Sequence, residues 1–429
     1  MQIFSTEDKD FQAQMDILLK RGHMDMDGVG EKVKSIIKEI KQEGNKALRR
    51  HIGMFDGWEP SCDEALHVDT LLMQKAYETL DADLKKALHL AYDRIYQYHK
   101  MQLPKSWMKY EKNGSMIGQK VTPMQRAGLY IPGGKAAYPS SLLMNAIPAI
   151  VAGVEEIIVC TPAPQNELNH LLLAAMHICG IKKAYKVGGA SAIAALAYGT
   201  KSIPKVDVIT GPGNIFVATA KKMVFGEVNI DMIAGPSEIG IIADESANAR
   251  YLALDLLSQA EHDEMASSIL VCTDKNLGEK VRVELEKILP TLDREKIARI
   301  SIENRGAIIY AKNIDEAFEI MNSLAPEHLE IMTKNPFEHL SKIKNAGAIF
   351  LGKNTPEPIG DYIAGPNHTL PTGGTARFYS PLNVEHFMKK SSIIFMSDDG
   401  INQIGKECAT LANCEGLTAH ERSVGERLK

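Results

Sequence analysis

The sequence predicts an α/β protein with two open sheets of parallel strands, and two observations carry that prediction. From residue 124 to residue 243, short β-rich runs that end in Gly, Pro or polar turns alternate with helical patterns. A second block with the same alternation starts at residue 249 and reaches residue 351. Strand, helix and strand in succession require a parallel sheet whose strands are joined by crossover helices.

Composition narrows the class of protein. The 429 residues are 45% hydrophobic and 24% charged, which is ordinary for a globular protein and sufficient for two or more domains. The net charge is −5 without a basic concentration, so neither a nucleic-acid nor an anionic-membrane partner is expected. No apolar run approaches the roughly 18 residues of a membrane span, and the N-terminus lacks a signal-peptide core. We therefore expect a cytoplasmic protein.

Six cysteines are scattered along the chain without a C-x-x-C pair. This pattern argues against a disulfide framework and against a zinc site built from thiolates. A metal site in this protein would therefore rely on nitrogen and oxygen ligands.

The first part of the chain, to about residue 110, is predicted to be helical. Amphipathic patterns cover residues 10–20, 28–43 and 71–101. Its histidines, such as His51 and His99, are isolated, and each is expected to be a packed or surface residue and not a ligand. We assign no chemistry to this part.

In the first α/β block, two glycine-containing turns stand between a strand and a helix. They are residues 130–134 (Tyr-Ile-Pro-Gly-Gly) and 211–214 (Gly-Pro-Gly-Asn). The carboxyl ends of parallel strands form the ligand crevice of such a sheet, and the N–H groups at a helix start suit phosphates. No G-x-G-x-x-G motif is present, so an ordinary strand-to-helix turn remains the alternative for either loop.

The second block begins with a predicted helix over residues 249–265. Strands are predicted at 268–273, 306–311, 328–332 and 348–351, with helices at 277–288, 314–324 and 336–343. Gln259 and His262 are three residues apart, so on the first helix they share a face and can approach one ion. A lone surface histidine is the alternative, because glutamine is a poor zinc ligand.

A proline then precedes a carboxylate and an imidazole, in the order Ala325, Pro326, Glu327, His328. Pro326 fixes its own φ and disfavours helix at Ala325, so the preceding helix should stop and leave a rigid elbow. The Glu-His pair is then a ready general base with a second carboxylate beside it. A surface dipeptide after a helix end is the alternative.

Two later segments carry further polar side chains. Residues 358–368 are predicted to be a loop in which glycines free the backbone to present Asp361 and His368. The C-terminal segment is predicted to form two helices, with Glu415 and His420 on either side of a short turn broken by Gly416. The default for such a tail is a solvated end.

Together these segments resemble the histidinol dehydrogenase family. The matching motifs are GLYIPGG, GPGN, AGPSE, SQAEHD, APEHLE, GDYIAGPNH and EGLTAH, in the family's order from about residue 120 to 425. The resemblance implies a zinc-dependent enzyme that oxidises L-histidinol through the aldehyde to L-histidine with NAD, the last step of histidine biosynthesis. It also implies a homodimer of chains with two incomplete Rossmann-like domains, whose small terminal pieces embrace the other subunit and share its active site.

The resemblance assigns roles to residues of this chain. The implied zinc ligands are Gln259, His262, Asp361 and His420. The implied substrate contacts are Ser237, Gln259, His262, His328, Asp361, His368, Glu415 and His420. The implied acid/base residues are Glu327 and His328. The implied NAD contacts are Tyr130, Asn214 and Ser191, and Ser191 stands where the family usually has glutamine.

The resemblance also suggests domain boundaries. We expect an N-terminal segment at 1–25, a site-bearing α/β domain at 26–123 and 239–381, an NAD-binding domain at 124–238, and a dimer-embracing tail at 382–429. Other functions stay open at this point. They are a dehydrogenase of a different polar alcohol, a zinc hydrolase in which Glu327 activates water, and a nucleotide-binding protein without catalysis.

Overall fold

The computed structural model describes residues 1–22, 26–133 and 139–429, and the chain forms two compact units. The first unit comprises Met1–Gln102 and Gln125–Phe387, and the second comprises Leu103–Met124 and Met388–Lys429. The strands are β1 (Gln2–Ser5), β2 (Trp107–Tyr110), β3 (Met116–Pro123), β4 (Arg126–Tyr130), β5 (Glu156–Thr161), β6 (Lys183–Lys186), β7 (Val208–Thr210), β8 (Asn229–Ile230), β9 (Glu238–Ala243), β10 (Ser267–Cys272), β11 (Ala307–Tyr310), β12 (His328–Met332), β13 (Ala348–Leu351) and β14 (Met388–Phe395). The helices are α1 (Phe11–Leu19), α2 (Met26–Glu43), α3 (Asn45–Phe55), α4 (Thr70–Glu78), α5 (Ala82–Lys100), α6 (Pro139–Ala152), α7 (His170–Ile178), α8 (Gly189–Tyr198), α9 (Ile215–Val224), α10 (Ala249–Ala260), α11 (Lys275–Ile288), α12 (Glu295–Arg305), α13 (Ile314–Leu324), α14 (Glu357–Tyr362), α15 (Asp398–Cys414) and α16 (Thr418–Gly425).

The first unit contains a five-stranded sheet in the order β6-β5-β4-β7-β8, and every pairing is parallel. Its core packs α8, α9 and α2 against the strands. From the middle strand β4 the chain adds β5 and β6 on one side of the sheet. It then crosses back and adds β7 and β8 on the other side of β4. The carboxyl ends of β4 and β7 therefore flank the switch point at which such sheets bind ligands.

The first unit also contains a six-stranded parallel sheet in the order β1-β11-β10-β9-β12-β13. Separate apolar cores cover its two faces, one built with α10, α11 and α12 and the other with α1 and α13. The α/β class with two parallel sheets is confirmed. Strand β1 lies in the segment that was predicted to be helical. It was missed because four residues with one buried aromatic, Phe4, give too short a pattern to be recognised.

The second unit is a three-stranded antiparallel sheet, in the order β14-β3-β2, with α15 and α16. The sequence predicted only helices in its C-terminal part, so β14 is a correction. Most side chains of β14 are exposed, which removes the alternation of apolar and polar residues that identifies a strand. Helix α15 begins at Asp398, and Gly416, at φ 75°, separates it from α16.

Several helix boundaries differ from the predictions. The single helix predicted over 71–101 is two, α4 and α5, because Asp81 caps the start of α5 by accepting the N–H of Leu84. Helices α3 and α12 were not predicted, and a 3-10 helix at Pro336–Lys342 replaces one predicted helix. Within the three described ranges, no helix is long and apolar enough to cross a membrane.

Candidate active site

The Glu-His elbow forms where it was predicted. Helix α13 ends at Leu324, and Ala325 adopts the left-handed conformation at φ 48° and ψ 61°. A non-glycine residue in this region costs on the order of 1–3 kcal/mol, so the surrounding structure must hold the turn in place. Pro326 and Glu327 follow, and β12 begins at His328.

The peptide groups of one residue, Glu238, hold both side chains of the elbow. The N–H of Glu238 donates to Glu327 Oε2 at 2.8 Å, and the Glu238 carbonyl lies 2.9 Å from His328 Nδ1. A carbonyl can only accept, so Nδ1 carries a proton and Nε2 is the nitrogen that can take up or release one. Glu327 precedes the strand, which allows two consecutive side chains to reach the N–H and the carbonyl of the same residue.

Two more carboxylates face His328 from helix α14. His328 Nε2 lies 3.5 Å from Asp361 Oδ1 and 3.9 Å from Glu357 Oε1. Both distances suit ion pairs and are too long for good hydrogen bonds. His328 Nε2 and Glu357 Oε1 are buried without a hydrogen-bond partner among the described residues. Buried polar atoms of this kind are uncommon and mark a place for a ligand or ion.

Burial and charge shift the titration of these groups. Burial lowers the pKa of His328, but the carboxylates of Glu327, Asp361 and Glu357 outweigh it and raise that pKa well above 6.5. Burial raises the pKa of Glu327 to about 8 and that of Glu357 to about 7. Burial also acts to raise the pKa of Asp361, but neighbouring His328 brings it down to about 2. Displaced pKa values are typical of catalytic and metal-binding groups.

Three side chains form a group that could hold a metal ion. Ligand atoms of His262, Glu357 and Asp361 lie within 4.8 Å of one another. Glu357 was not predicted from the sequence. Two features of the sequence could have indicated Glu357. It directly follows Pro356, which can start a helix, and it is four residues from Asp361, so both carboxylates lie on one face of that helix. Residues 358–362 were predicted to be loop, and α14 corrects this.

Gln259 supports the same site. Its side chain is completely buried in the last turn of α10, and neither amide atom has a partner in the described part of the chain. A buried, unpaired amide costs free energy unless something binds it. Helix α10 ends at Ala260, earlier than predicted, so His262 lies in the following turn. Surrounding protein lowers the pKa of His262 by desolvation, although the residue is exposed.

The site lies at the amino ends of β9 and β12. Helix α10 follows β9 and runs back along the sheet, so its last turn returns to this edge. Ser258 Oγ donates to Glu357 Oε2 at 2.8 Å, which joins the end of α10 to α14. Ser237 directly precedes Glu238, and His368 Nδ1 lies 2.9 Å from the carbonyl of Asp361. Seven predicted residues therefore belong to one neighbourhood: Ser237, Gln259, His262, Glu327, His328, Asp361 and His368.

The predicted cofactor residues lie at the carboxyl edge of the five-stranded sheet. The hydroxyl of Tyr130, at the end of β4, accepts the N–H of Gly189 at 3.2 Å, where α8 begins. Asn214 caps α9 by accepting the N–H groups of Phe216 and Val217. Gly134, the last residue of the first predicted loop, lies outside the described residues. The edge thus presents two helix N-termini, the arrangement that suits a phosphate-bearing ligand.

A buried ion pair holds the second loop. Lys221 Nζ donates to the carbonyl of Gly211 at 3.0 Å, and Asp231 Oδ2 accepts the N–H of Gly211 at 2.8 Å. Lys221 and Asp231 also bond each other. Gly211 has φ 116°, and a Cβ there would lie 1.9 Å from the carbonyl oxygen of Tyr130. Only glycine fits this close approach.

Ser191 is engaged by residues of the N-terminal helices. Its hydroxyl lies 2.9 Å from His51 Nδ1, and His51 Nε2 lies 3.0 Å from Glu39. Ser191 and His51 are both buried, as expected of a packed histidine. The hydroxyl is therefore already used within the protein, and its contact with NAD stays a prediction.

Glu415 and His420 belong to the second unit. Glu415 follows α15 directly, and His420 lies in α16. Both side chains are exposed. Their predicted roles in substrate and metal binding remain predictions.

Comparison with known proteins decides the family. A family model described as histidinol dehydrogenase matches residues 19–428. The chain belongs to the histidinol dehydrogenase family. It is 65% identical over 419 residues to histidinol dehydrogenase of Wolinella succinogenes, covering 98% of this chain and 97% of that one. It is 64% identical to that of Sulfurimonas denitrificans, covering 99% of both chains.

A solved structure agrees in fold. The crystal structure of histidinol dehydrogenase from Elizabethkingia anophelis matches with a TM-score of 0.94 and 34% identity, covering 100% of this chain and 98% of that one. The resemblance inferred from the motifs is confirmed. As a histidinol dehydrogenase family member, the chain is an oxidoreductase of histidine biosynthesis that acts on a small molecule.

Proposed function

We propose that this protein carries out the zinc-dependent, NAD-linked oxidation of L-histidinol through L-histidinaldehyde to L-histidine. The observation that carries the proposal is the pair of buried, unpaired polar atoms on His328 and Glu357, next to His262 and Asp361, together with the unpaired amide of Gln259 beside Ser258. A ligand with both imidazole and amino nitrogens, together with a metal ion, would satisfy such a set. Cytoplasmic location stays part of the proposal.

Gln259, His262 and Asp361 would hold the metal, with His420 of the other subunit as the fourth ligand. The donor set is nitrogen and oxygen only, which suits a catalytic Zn²⁺ with open positions better than a structural thiolate site. Zn²⁺ bound there would hold the substrate's nitrogens and fix its carbinol carbon. Glu357 faces the same atoms and adds negative charge beside His262 and Asp361.

His328 would be the base for both proton removals. Its Nδ1–H is anchored on the Glu238 carbonyl, so Nε2 is the atom directed at the site. The flanking carboxylates raise the pKa of His328, so Nε2 must first release its proton, and they then stabilise the imidazolium that forms when Nε2 takes the proton of the substrate. NAD⁺, when bound, accepts the hydride. Tyr130, Ser191 and Asn214 would orient it at the edge of the five-stranded sheet.

Glu327 would activate the water that attacks the aldehyde. It is buried and accepts a hydrogen bond from the N–H of Glu238. Its pKa of about 8 makes it a stronger base than an ordinary carboxylate once it has lost its proton. His328 would then deprotonate the hydrated aldehyde for the second oxidation.

The test is an absorbance assay for reduced nicotinamide with purified protein, NAD⁺ and L-histidinol. We expect reduced nicotinamide to form at about two equivalents per histidine produced, because two hydride transfers are needed. Hydrolysis of an ester or amide without nicotinamide reduction would identify a zinc hydrolase. Faster reduction with another polar alcohol than with histidinol would identify a different dehydrogenase. Either result would overturn the proposal.

A further inference from the structure

We propose that the buried ion pair between Arg21 and Glu238 is a positioning device for Glu327 and His328. The inference deepens the proposed function and rests on it, because it assigns roles in the same reaction to two residues outside the implied site. Arg21 lies in the N-terminal part of the chain, in which no functional residue was predicted. Glu238 is the first residue of β9.

Arg21 is almost fully enclosed. Its side chain is 4% exposed, and Nη2 donates to Glu238 Oε2 at 3.0 Å and to the carbonyl of Leu324 at 2.9 Å. Nη1 donates to the carbonyl of Leu18 at 3.1 Å. The guanidinium therefore contacts carbonyls at the C-terminal ends of α1 and α13, where the helix dipole favours a cation. A planar group with several fixed donors suits this position better than an ammonium.

Glu238 is held through both carboxylate oxygens. Oε2 accepts a hydrogen bond from Arg21 Nη2, and Oε1 accepts one from the N–H of Gly373 at 2.9 Å. The main chain of this same residue donates to Glu327 and accepts from His328. A displacement of the Glu238 main chain would therefore move both reacting side chains together.

Arg21 also acts on the other side of the elbow. The Leu324 carbonyl that it binds immediately precedes Ala325, the residue in the strained left-handed conformation. A left-handed alanine persists only where its neighbours over-determine it. The pair thus holds the elbow at two points. Arg21 binds the carbonyl before Ala325, and the main chain of Glu238 binds Glu327 and His328 after it.

This geometry predicts how kcat and KM respond separately. Neither Arg21 nor Glu238 contacts Gln259, His262 or Asp361 in any hydrogen bond or ion pair of the described residues. Loss of the pair should leave metal and substrate binding largely intact. Misplacing the base and the water activator should slow both oxidations, since a displacement of about 1 Å can cost about a hundredfold in rate.

The experiment compares Arg21→Met, Arg21→Lys and Glu238→Gln with wild type and with Leu285→Ala. Leu285 is buried in α11, in the apolar core on the α10, α11 and α12 side of the six-stranded sheet, so its truncation destabilises the protein without touching the elbow. For each protein we would measure kcat, KM for histidinol, bound zinc and the thermal midpoint.

We expect Arg21→Met to lower kcat by roughly ten- to a hundredfold, with KM within about threefold and zinc retained. Arg21→Lys keeps a cation near Glu238 and should recover part of the loss. Leu285→Ala should lower the thermal midpoint and keep kcat. If Arg21→Met fails to fold, the kcat and KM of Glu238→Gln provide the test. This variant should fold, because glutamine still accepts the Gly373 N–H and leaves no buried carboxylate.

Three results would overturn the inference. They are an unchanged kcat in folded, zinc-loaded Arg21→Met or Glu238→Gln, a loss of kcat matched by Leu285→Ala at equal stability, or a rise in KM without a fall in kcat. Inactive wild-type protein would instead refute the proposed function. The two failures are therefore distinguishable.

Discussion

Nδ1 of His328 lies 2.9 Å from the main-chain carbonyl of Glu238, while the N–H of the same Glu238 binds Glu327. The two side chains are adjacent in sequence and held by the main chain of one residue, yet they have different surroundings. His328 Nε2 faces two carboxylates, whereas Glu327 has a single hydrogen-bond donor. Such a difference allows one residue to serve as the base for the alcohol and the other to activate water.

Separate half-reactions should therefore distinguish the two residues. Glu327→Gln removes the water activator but keeps an oxygen for the Glu238 N–H, so oxidation of added histidinaldehyde should fall more than single-turnover oxidation of histidinol. His328→Ala should slow both, each by roughly a hundredfold or more. Equal losses in the two half-reactions of Glu327→Gln would contradict this division of roles.

Metal removal should abolish turnover without unfolding the protein. The proposed ligands contain no thiolate, and the two parallel sheets have their own apolar cores. A strong chelator should therefore eliminate reduced-nicotinamide formation while the far-ultraviolet circular dichroism stays within a few per cent of its starting value. Zn²⁺ added back should restore activity. Loss of the dichroism together with activity would show that the metal is structural.

The sequence predicted the elbow because a proline acts on its immediate neighbours. Helix spacing singled out Gln259, a glycine-containing loop singled out Asp361, and the family motifs implied roles for both that stay predictions. The sequence did not indicate the Arg21–Glu238 pair, whose members are 217 residues apart, because such a contact exists only after the sheet has formed. Glu357 was missed for a different reason. Its helix is only six residues long, and Pro356 and Pro358 give the segment a composition typical of a loop.

The same limit applies to the fold. The strands β9 to β12 were recognisable because they are buried along their whole length, which makes them largely apolar runs between helices. Strands β1 and β14 are an edge strand and a mostly exposed strand, so their sequences lack that signal. The predicted domain boundaries stay a prediction. Compactness instead groups residues 103–124 with the C-terminal 388–429, which pair through β3 and β14.

The buried ion pair between Lys221 and Asp231 holds the loop at residues 211–214, so its loss should affect cofactor binding more than histidinol binding. Lys221→Met removes the donor to the Gly211 carbonyl and leaves Asp231 buried without its cation, so the loop should lose its fixed position. We expect KM for NAD⁺ to rise about tenfold, with KM for histidinol changed less than about threefold. Neighbouring Lys222 is exposed, which makes Lys222→Met the control. Equal changes in both KM values would contradict a role specific to the cofactor loop.

Stability should depend on pH through a buried acid pair. Burial raises the pKa of Asp255 from 3.8 to about 6, and burial together with Asp255 raises that of Glu330 well above 4.5. A raised carboxyl pKa means that the folded state holds more protons than the unfolded state, so stability falls as the pH rises from about 4 to 6 and above. Asp255→Asn mimics the protonated form and removes this cost.

The variant Asp255→Asn should therefore be more stable than wild type at pH 8, by about 1–3 kcal/mol, and nearly equal to it at pH 4. Urea unfolding at the two pH values measures the difference. A gain of the same size at both pH values would mean that packing, and not the charge of Asp255, is responsible.

The last prediction asks in which subunit His420 acts. In the implied homodimer, the C-terminal tail completes the site of the other chain, so each site depends on both chains of a twofold pair. His328→Ala and His420→Ala proteins should each be inactive. Co-refolding them in equal amounts makes about half of the dimers mixed, and each mixed dimer then has one site with both defects and one with neither.

Activity should return to about a quarter of the wild-type value, by this counting over a twofold dimer. Co-refolding two His328→Ala preparations is the control and should restore nothing. If His420 acted within its own chain, every site of every dimer would carry a defect. Absence of recovery, with mixed dimers demonstrated by differently tagged chains, would therefore assign His420 to its own subunit's site and remove the sharing of sites from the proposed function.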